Sequence, residues 1–148
     1  MLVNKRARHE YQILETYEAG IVLKGSEVKS IREGRVSFTD SFVRIKDGEM
    51  WLCNLHIAPY SSTHESYDPK RERKLLLHKK EIKRLTGMLS QKGLTLIPLR
   101  IYFRKSLAKV EVGLAKGRKK YDKREKLKRE YVDKEVRRVL KGREKFNI

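Results

Sequence analysis

Apolar and polar residues alternate along much of this chain with a period of two, the signature of strands buried on one face. In "HEYQILETYEAGIVL", Tyr11, Ile13, Glu15 and Tyr17 fall on one side and Gln12, Leu14, Thr16 and Glu18 on the other. The stretch reads as one long strand, with Gly20 the expected site of a bulge. "DSFVRIKDGEMWLCNLHI" predicts two strands joined at Asp47-Gly48, a dipeptide suited to a two-residue hairpin turn. "TLIPLRIYFRKSLAKVEVGLA" predicts a further pair. Its first member sets Ile97, Leu99, Ile101 and Phe103 on one face against Arg100, Tyr102 and Arg104. In the second, Ala108, Val110, Val112 and Leu114 alternate with Lys109, Glu111 and Gly113. Pro98 cannot donate to a ladder and marks a bulge or an edge position.

Helical spacing occurs twice in this part of the chain. "GSEVKSIREG" places Val28 and Ile31 three apart, with Ser26 to cap and Gly34 to stop the helix. "HKKEIKRLTGMLSQKG" places Ile82, Leu85 and Leu89 on one face, with Gly93 just past the end. Between them, Pro59 to Arg73 is a polar loop, and loops of that length are usually functional or mobile. Five or six short antiparallel strands with two short helices either stack as a sandwich or close as a barrel; the small core and single long helix favour a closed β-barrel with short peripheral helices.

Past Gly117 the pattern stops. Of the last 33 residues, Lys116 to Ile148, 15 are Lys or Arg and 6 are Asp or Glu, which supplies half of the net charge of +18. Asp122 with Glu125 forms a capping-box pattern, and Gly142 is placed to end a helix. Its apolar residues make no single stripe: Leu127 and Tyr131 oppose Val132, Val136, Val139 and Leu140. Two units are therefore expected. Residues 1–115 form the barrel, and 116–148 form a basic tail, disordered or frayed when free and helical once a partner neutralises it.

So large a positive charge points to a polyanion, nucleic acid before an anionic membrane. Catalytic chemistry finds little support. His9, His56, His64 and His78 lack metal-ligand spacing, and Cys53, the single cysteine, sits in an apolar strand without a basic flank. "GIVLKGSE" spaces two glycines like a phosphate loop, but Ser26 stands where that loop needs lysine. No cofactor, metal, small-molecule substrate or membrane partner is expected, and the chain lacks a signal-peptide pattern, so a cytoplasmic location is expected. Basic clusters at Lys5, Arg6 and Arg8 and at Lys70, Arg71, Arg73 and Lys74 are interleaved with tyrosines, a composition suited to RNA.

Four stretches, "NKRARHEYQILETYEAGIVLKGSEVKSIREG", "DSFVRIKDGE", "RKLLLHKKEI" and "GLAKGRKKYDKREKLKRE", resemble the SmpB family along the whole chain. The resemblance implies a barrel of the oligonucleotide-binding (OB-like) kind. It also implies binding to the tRNA-like domain of tmRNA (SsrA RNA) and delivery of that RNA to stalled ribosomes for trans-translation. The family's tmRNA-contacting positions fall on Glu18, Leu76 and Lys109, with Asn4, Lys5, Arg6, Arg71, Arg73 and Lys74 as companions. Its segment for the ribosomal decoding centre, where small-subunit rRNA lines the empty mRNA channel, falls on Gly117, Tyr121, Asp122, Lys123 and Arg124. Tyr121 stands where many members carry His. A general rRNA-binding or ribosomal protein would share the charge and barrel but not these surface motifs, and a nuclease would need clustered carboxylates.

Overall fold

The structure is a computed structural model, and it describes residues 1–60, 67–91 and 93–117. In chain order the elements are β1 (Leu2–Val3), α1 (Ala7–Glu10), β2 (Tyr11–Ile21), α2 (Gly25–Arg32), β3 (Val36–Ser37) and β4 (Phe42–Lys46). There follow β5 (Glu49–Cys53), β6 (His56–Ile57), β7 (Arg73–Leu76), α3 (Lys79–Leu89), β8 (Leu94–Arg104) and β9 (Leu107–Gly117). All pairings are antiparallel. They run β8-β4-β5-β7-β2-β9, and β9 pairs with β8, so the series of six strands returns on itself. No helix of the described residues is long and apolar enough to cross a membrane.

The hairpin of β4 and β5 forms as the sequence predicts. Lys46 faces Glu49 in the ladder, and Asp47 (φ 53°) and Gly48 (φ 75°) both take the left-handed backbone of a type I′ turn. The predicted alternation also holds in β9, where Val110, Val112 and Leu114 are fully buried. They join Met50, Leu52, Leu75, Leu96 and Ile101 in the main core, over which α2 lays Ile31 and α3 lays Ile82 and Leu85.

Two bulges build a second core. In β2 the register against β9 shifts between Ile13 and Glu15, and in β8 it shifts between Pro98 and Arg100. Neighbouring residues on a strand point to opposite faces, and an extra residue carries the strand's apolar set across. Ile97 and Leu99 therefore pack outward with Ala7 and Ala115, against Tyr11 and Ile13. Ile101 and Phe103, beyond the bulge, face the main core. The single face expected for Ile97, Leu99, Ile101 and Phe103 is thus split in two. Pro98, which has no N–H, sits at the break, and Asn4 satisfies the carbonyls left over. Its backbone N–H donates to Leu99 O and its side-chain amide to Pro98 O, each at 2.8 Å.

Other local expectations shift. Gly20 is not bulged: it stays in register with Leu76 of β7 and Lys109 of β9 at once. Ser26 does not cap α2. The helix begins at Gly25 with Lys24 at the cap, whose N–H bonds the Glu27 carboxylate at 2.8 Å. Gly34 (φ 75°) does close it. Helix α3 ends at Leu89, short of Gly93. Strand β9 carries Lys116 and Gly117 into the sheet opposite Gln12 and Tyr11, two residues beyond the expected limit at Ala115. The predicted tail helix with its Asp122 cap lies outside the described residues.

Candidate nucleic-acid interface

Three residues far apart in sequence meet on the outer face of the sheet. Gly20 pairs with Leu76 on one side and with Lys109 on the other, and Lys109 pairs with Tyr102. Leu76, Gly20, Lys109 and Tyr102 thus stand in one row across β7, β2, β9 and β8. Glu18, two residues before Gly20, shares its face. A Cβ on Gly20 would lie 3.4 Å from Leu76 Cβ, so the glycine leaves a notch between a half-exposed leucine and a lysine. Lys109 forms no ion pair among the described residues and stays available to an anion.

Glu18 is heavily engaged. It accepts from the Tyr102 hydroxyl at 2.6 Å and from Arg104 Nη1 at 3.0 and 3.2 Å. The Tyr102 bond, with Arg104 and Lys109 nearby, holds the Glu18 carboxyl below its usual range against a smaller opposing effect of burial. Burial and the Glu18 carboxylate push Tyr102 up to about 12. Directly opposite Glu18 in the ladder stands Glu111, which takes Arg100 at 2.8 Å. The Arg100 guanidinium also lies 5.0 Å from the Tyr102 ring centroid. The turn from β8 to β9 puts Lys105 (φ 50°) and Ser106 (φ 65°) in the left-handed region and turns the chain beside this network. A hollow of about 400 Å³ is lined there by Glu18, Arg104, Lys105, Leu107 and Lys109.

The remaining sequence-predicted residues fall into different settings. Arg73 is a correction: expected in a basic RNA-facing loop, it opens β7 and is fully buried. Its Nε donates to Glu27 Oε2 at 2.6 Å, its Nη1 to Leu55 O at 2.7 Å and its Nη2 to Pro69 O at 3.0 Å. Arg71 is committed to the same carboxylate, through Nε at 3.1 Å and through a second short bond from Nη2. Burial by itself would raise the Glu27 pKa, but Arg71, the Lys24 amide and Arg73 outweigh it and hold the group ionised. Lys74 lies on the outer face beside Leu76 and reaches Glu49 at 3.3 Å.

Asn4 holds the β8 bulge. Lys5 and Arg6 are exposed and line a separate groove of about 660 Å³ with Ser37, Thr39 and Asp40. Gly117 ends β9 opposite Tyr11. Tyr121, Asp122, Lys123 and Arg124 lie outside the described residues.

Sequence reasoning overlooked Arg104 and gave Tyr102 no more weight than the other tyrosines. Only their spacing of two on a strand, which puts them on one face, was available to find them. Glu27 was missed altogether. Among the described residues no His, Cys, Asp or Glu cluster is placed to hold a metal ion. The buried Cys53 thiol has its pKa raised, first by burial and then by Glu72.

The family model described as "SmpB protein" matches residues 1–142. An "SsrA-binding protein" of Aquifex aeolicus is 59% identical over 142 residues, covering 95% of this chain and 90% of its own. One from Thermus thermophilus is 60% identical over 134 residues, covering 89% and 93%. A solved structure described as "tmRNA-SmpB: a journey to the center of the bacterial ribosome" contains a chain 62% identical, with a TM-score of 0.67, covering 78% of this chain and 82% of that one. With its residues 1–142 matched throughout and relatives this close in both length and sequence, the chain belongs to the SmpB family.

Proposed function

We propose that this protein binds the tRNA-like domain of tmRNA and carries it to ribosomes stalled without a stop codon. The observation that supports this best is the row Leu76, Gly20, Lys109 and Tyr102 with Glu18 beside it. It offers an apolar contact, a notch, a cation without an ion pair among the described residues and a ring on one face, which suits an unstacked base and its phosphate. On this reading the six strands are a closed, OB-like barrel whose outer face takes the RNA. The protein works by binding, in the cytoplasm, without catalysing a reaction itself.

The charged residues beyond β9 form the second working unit. Lys123 and Arg124 meet rRNA phosphates at the decoding centre, Tyr121 stacks on an rRNA base, and Asp122 caps a helix that forms as the charge is neutralised. The segment occupies the empty mRNA path, and Gly117 is the joint from which it leaves.

Titration of a transcript of the tRNA-like domain at several salt concentrations tests the first part. Lys109→Ala is expected to weaken binding and to lower the salt slope by about 0.7–0.9, one phosphate's share. The exposed Lys83→Ala on α3 serves as the control. Equal binding by wild type and Lys109→Ala would remove the face from its assigned role.

A further inference from the structure

Glu18 is the wrong sign for a phosphate-binding face, and its carboxylate is already occupied. Three bonds from β8 use it: one from the Tyr102 hydroxyl at 2.6 Å and two from Arg104 at 3.0 and 3.2 Å. A carboxylate has about four acceptor sites, so these bonds leave about one for direct contact with RNA. Exposure points the same way. The Arg104 side chain is 66% exposed and that of Glu18 is 35%, so the arginine stands outermost.

We propose that Glu18 is a positioning residue, and that the groups meeting RNA are the Tyr102 ring and the Arg104 guanidinium it holds. The inference rests on the reading of this face as the tmRNA surface. Without Glu18 the Arg104 side chain, at the end of β8, would sweep through many rotamers, and ordering it at the moment of binding is unfavourable. With Glu18 it is tethered while its remaining N–H groups stay free for a phosphate. The same carboxylate fixes the Tyr102 phenol, and Arg100 covers one face of that ring, leaving the other for a base.

The paired arrangement across the ladder supports this division of labour. Glu18 and Glu111 stand directly opposite each other, a repulsive pair if left alone. Arg104 and Arg100 each neutralise one of them, and Tyr102 lies between the two arginines on β8. The hollow lined by Glu18, Arg104, Lys105, Leu107 and Lys109 then has three cations above one carboxylate, with Leu107 as its apolar wall. That combination fits a single unpaired nucleotide: phosphate toward the cations, base toward Tyr102 or Leu107.

A multiple-mutant cycle on the full chain, read by titrating the tRNA-like-domain transcript, tests the assignment. Arg104→Ala is expected to weaken binding roughly ten-fold, as for loss of a charge-assisted contact, and to lower the salt slope by about 0.7–0.9. Glu18→Ala should weaken binding and lower the slope in the same way, although it removes a negative charge. Glu18→Gln, whose amide oxygen still accepts from Tyr102 and Arg104, should restore part of the affinity. Added to Tyr102→Phe/Arg104→Ala, Glu18→Ala should cost nothing more.

If the loss from Glu18→Ala multiplies in that background, or leaves the salt slope of an otherwise wild-type chain unchanged, Glu18 touches RNA directly and the inference fails while the face keeps its function. Wild-type protein that does not bind the transcript overturns both. Glu18, Tyr102 and Arg104 all lie on the outer face, and matched thermal melts confirm that each variant is folded.

Discussion

Gly113 lies directly against Leu99. A Cβ added to the glycine would stand 2.9 Å from Leu99 Cδ1, 3.1 Å from its Cγ and 3.3 Å from its Cδ2. All three atoms crowd at once, and Leu99 is only 4% exposed among Ala7, Ile97 and Ala115, so a rotamer change gives no relief. The glycine admits the leucine that the β8 bulge pushes outward. Gly113→Ala is expected to destabilise the fold by about 1–3 kcal/mol, the cost of overpacking. Leu99→Ala in the same chain should relieve the clash, making the double variant more stable than the sum of the two single losses. Urea unfolding of the four proteins measures the coupling, and strict additivity would show that the two residues do not interact.

Arg73 carries a different kind of dependence. Truncating it to alanine strands a buried Glu27 with fewer partners, and breaking one side of a buried pair costs about 3–5 kcal/mol. Arg73→Ala is expected to lower the melting temperature sharply, while any loss of RNA binding should follow the unfolded fraction. A stable Arg73→Ala that nevertheless fails to bind would restore the arginine to the RNA surface. Because the Glu27 pKa is held below its unfolded value near 4.3, its stabilisation is present above that pH and is lost as pH falls through the folded value.

How far these features were readable depends on how far apart the partners lie. The Asp47-Gly48 turn and the alternation of β9 are written within a few residues, and the structure reproduces both. The β8 bulge was signalled by Pro98, but its effect on Leu99 and Ile101 was not. Which face a residue takes after a bulge depends on the partner strand's register. Arg73 looked like a loop cation because Glu27, 46 positions earlier, is invisible as its partner. Resemblance picked out Glu18, Leu76 and Lys109 one by one; only the pairing of β2 with both β7 and β9 shows that they lie on one face.

The Glu18–Tyr102 bond should be visible in solution. Tyr102 is expected to ionise well above the ordinary tyrosine value, at about 12, followed through its ring carbon by NMR. Glu18→Ala should lower that value part of the way, since burial, the larger cause, remains. The sign follows for stability: the folded pKa lies above the unfolded value of about 10, so the contribution is full below pH 10 and is lost as pH rises through the folded value. Tyr102→Phe should in turn let the Glu18 carboxyl titrate at higher pH. An unchanged Glu18 titration in that variant would show that the bond does not form.

Cutting the chain after Gly117, where β9 ends, should leave much of the tmRNA affinity while abolishing peptide tagging on stalled ribosomes. The full chain with Asp122→Ala, Lys123→Ala and Arg124→Ala should behave alike, losing about 1 kcal/mol of helix capping and roughly 1.5–3 kcal/mol for each charge-assisted contact. Tagging by the triple variant at the wild-type rate would eliminate these residues from the ribosomal step.

The loop of strands is not equally thick all the way round. β8 and β9 share ten paired positions, whereas β4 and β8 meet through one, Val43 with Leu96. The same edge of β8 is continued by β1, which pairs at Arg100 and Ile101 and is fastened by Asn4. Two residues near the beginning of the chain therefore extend the edge of β8 beside this narrow join. Deuterium should enter first along this join, where the ladder is thinnest.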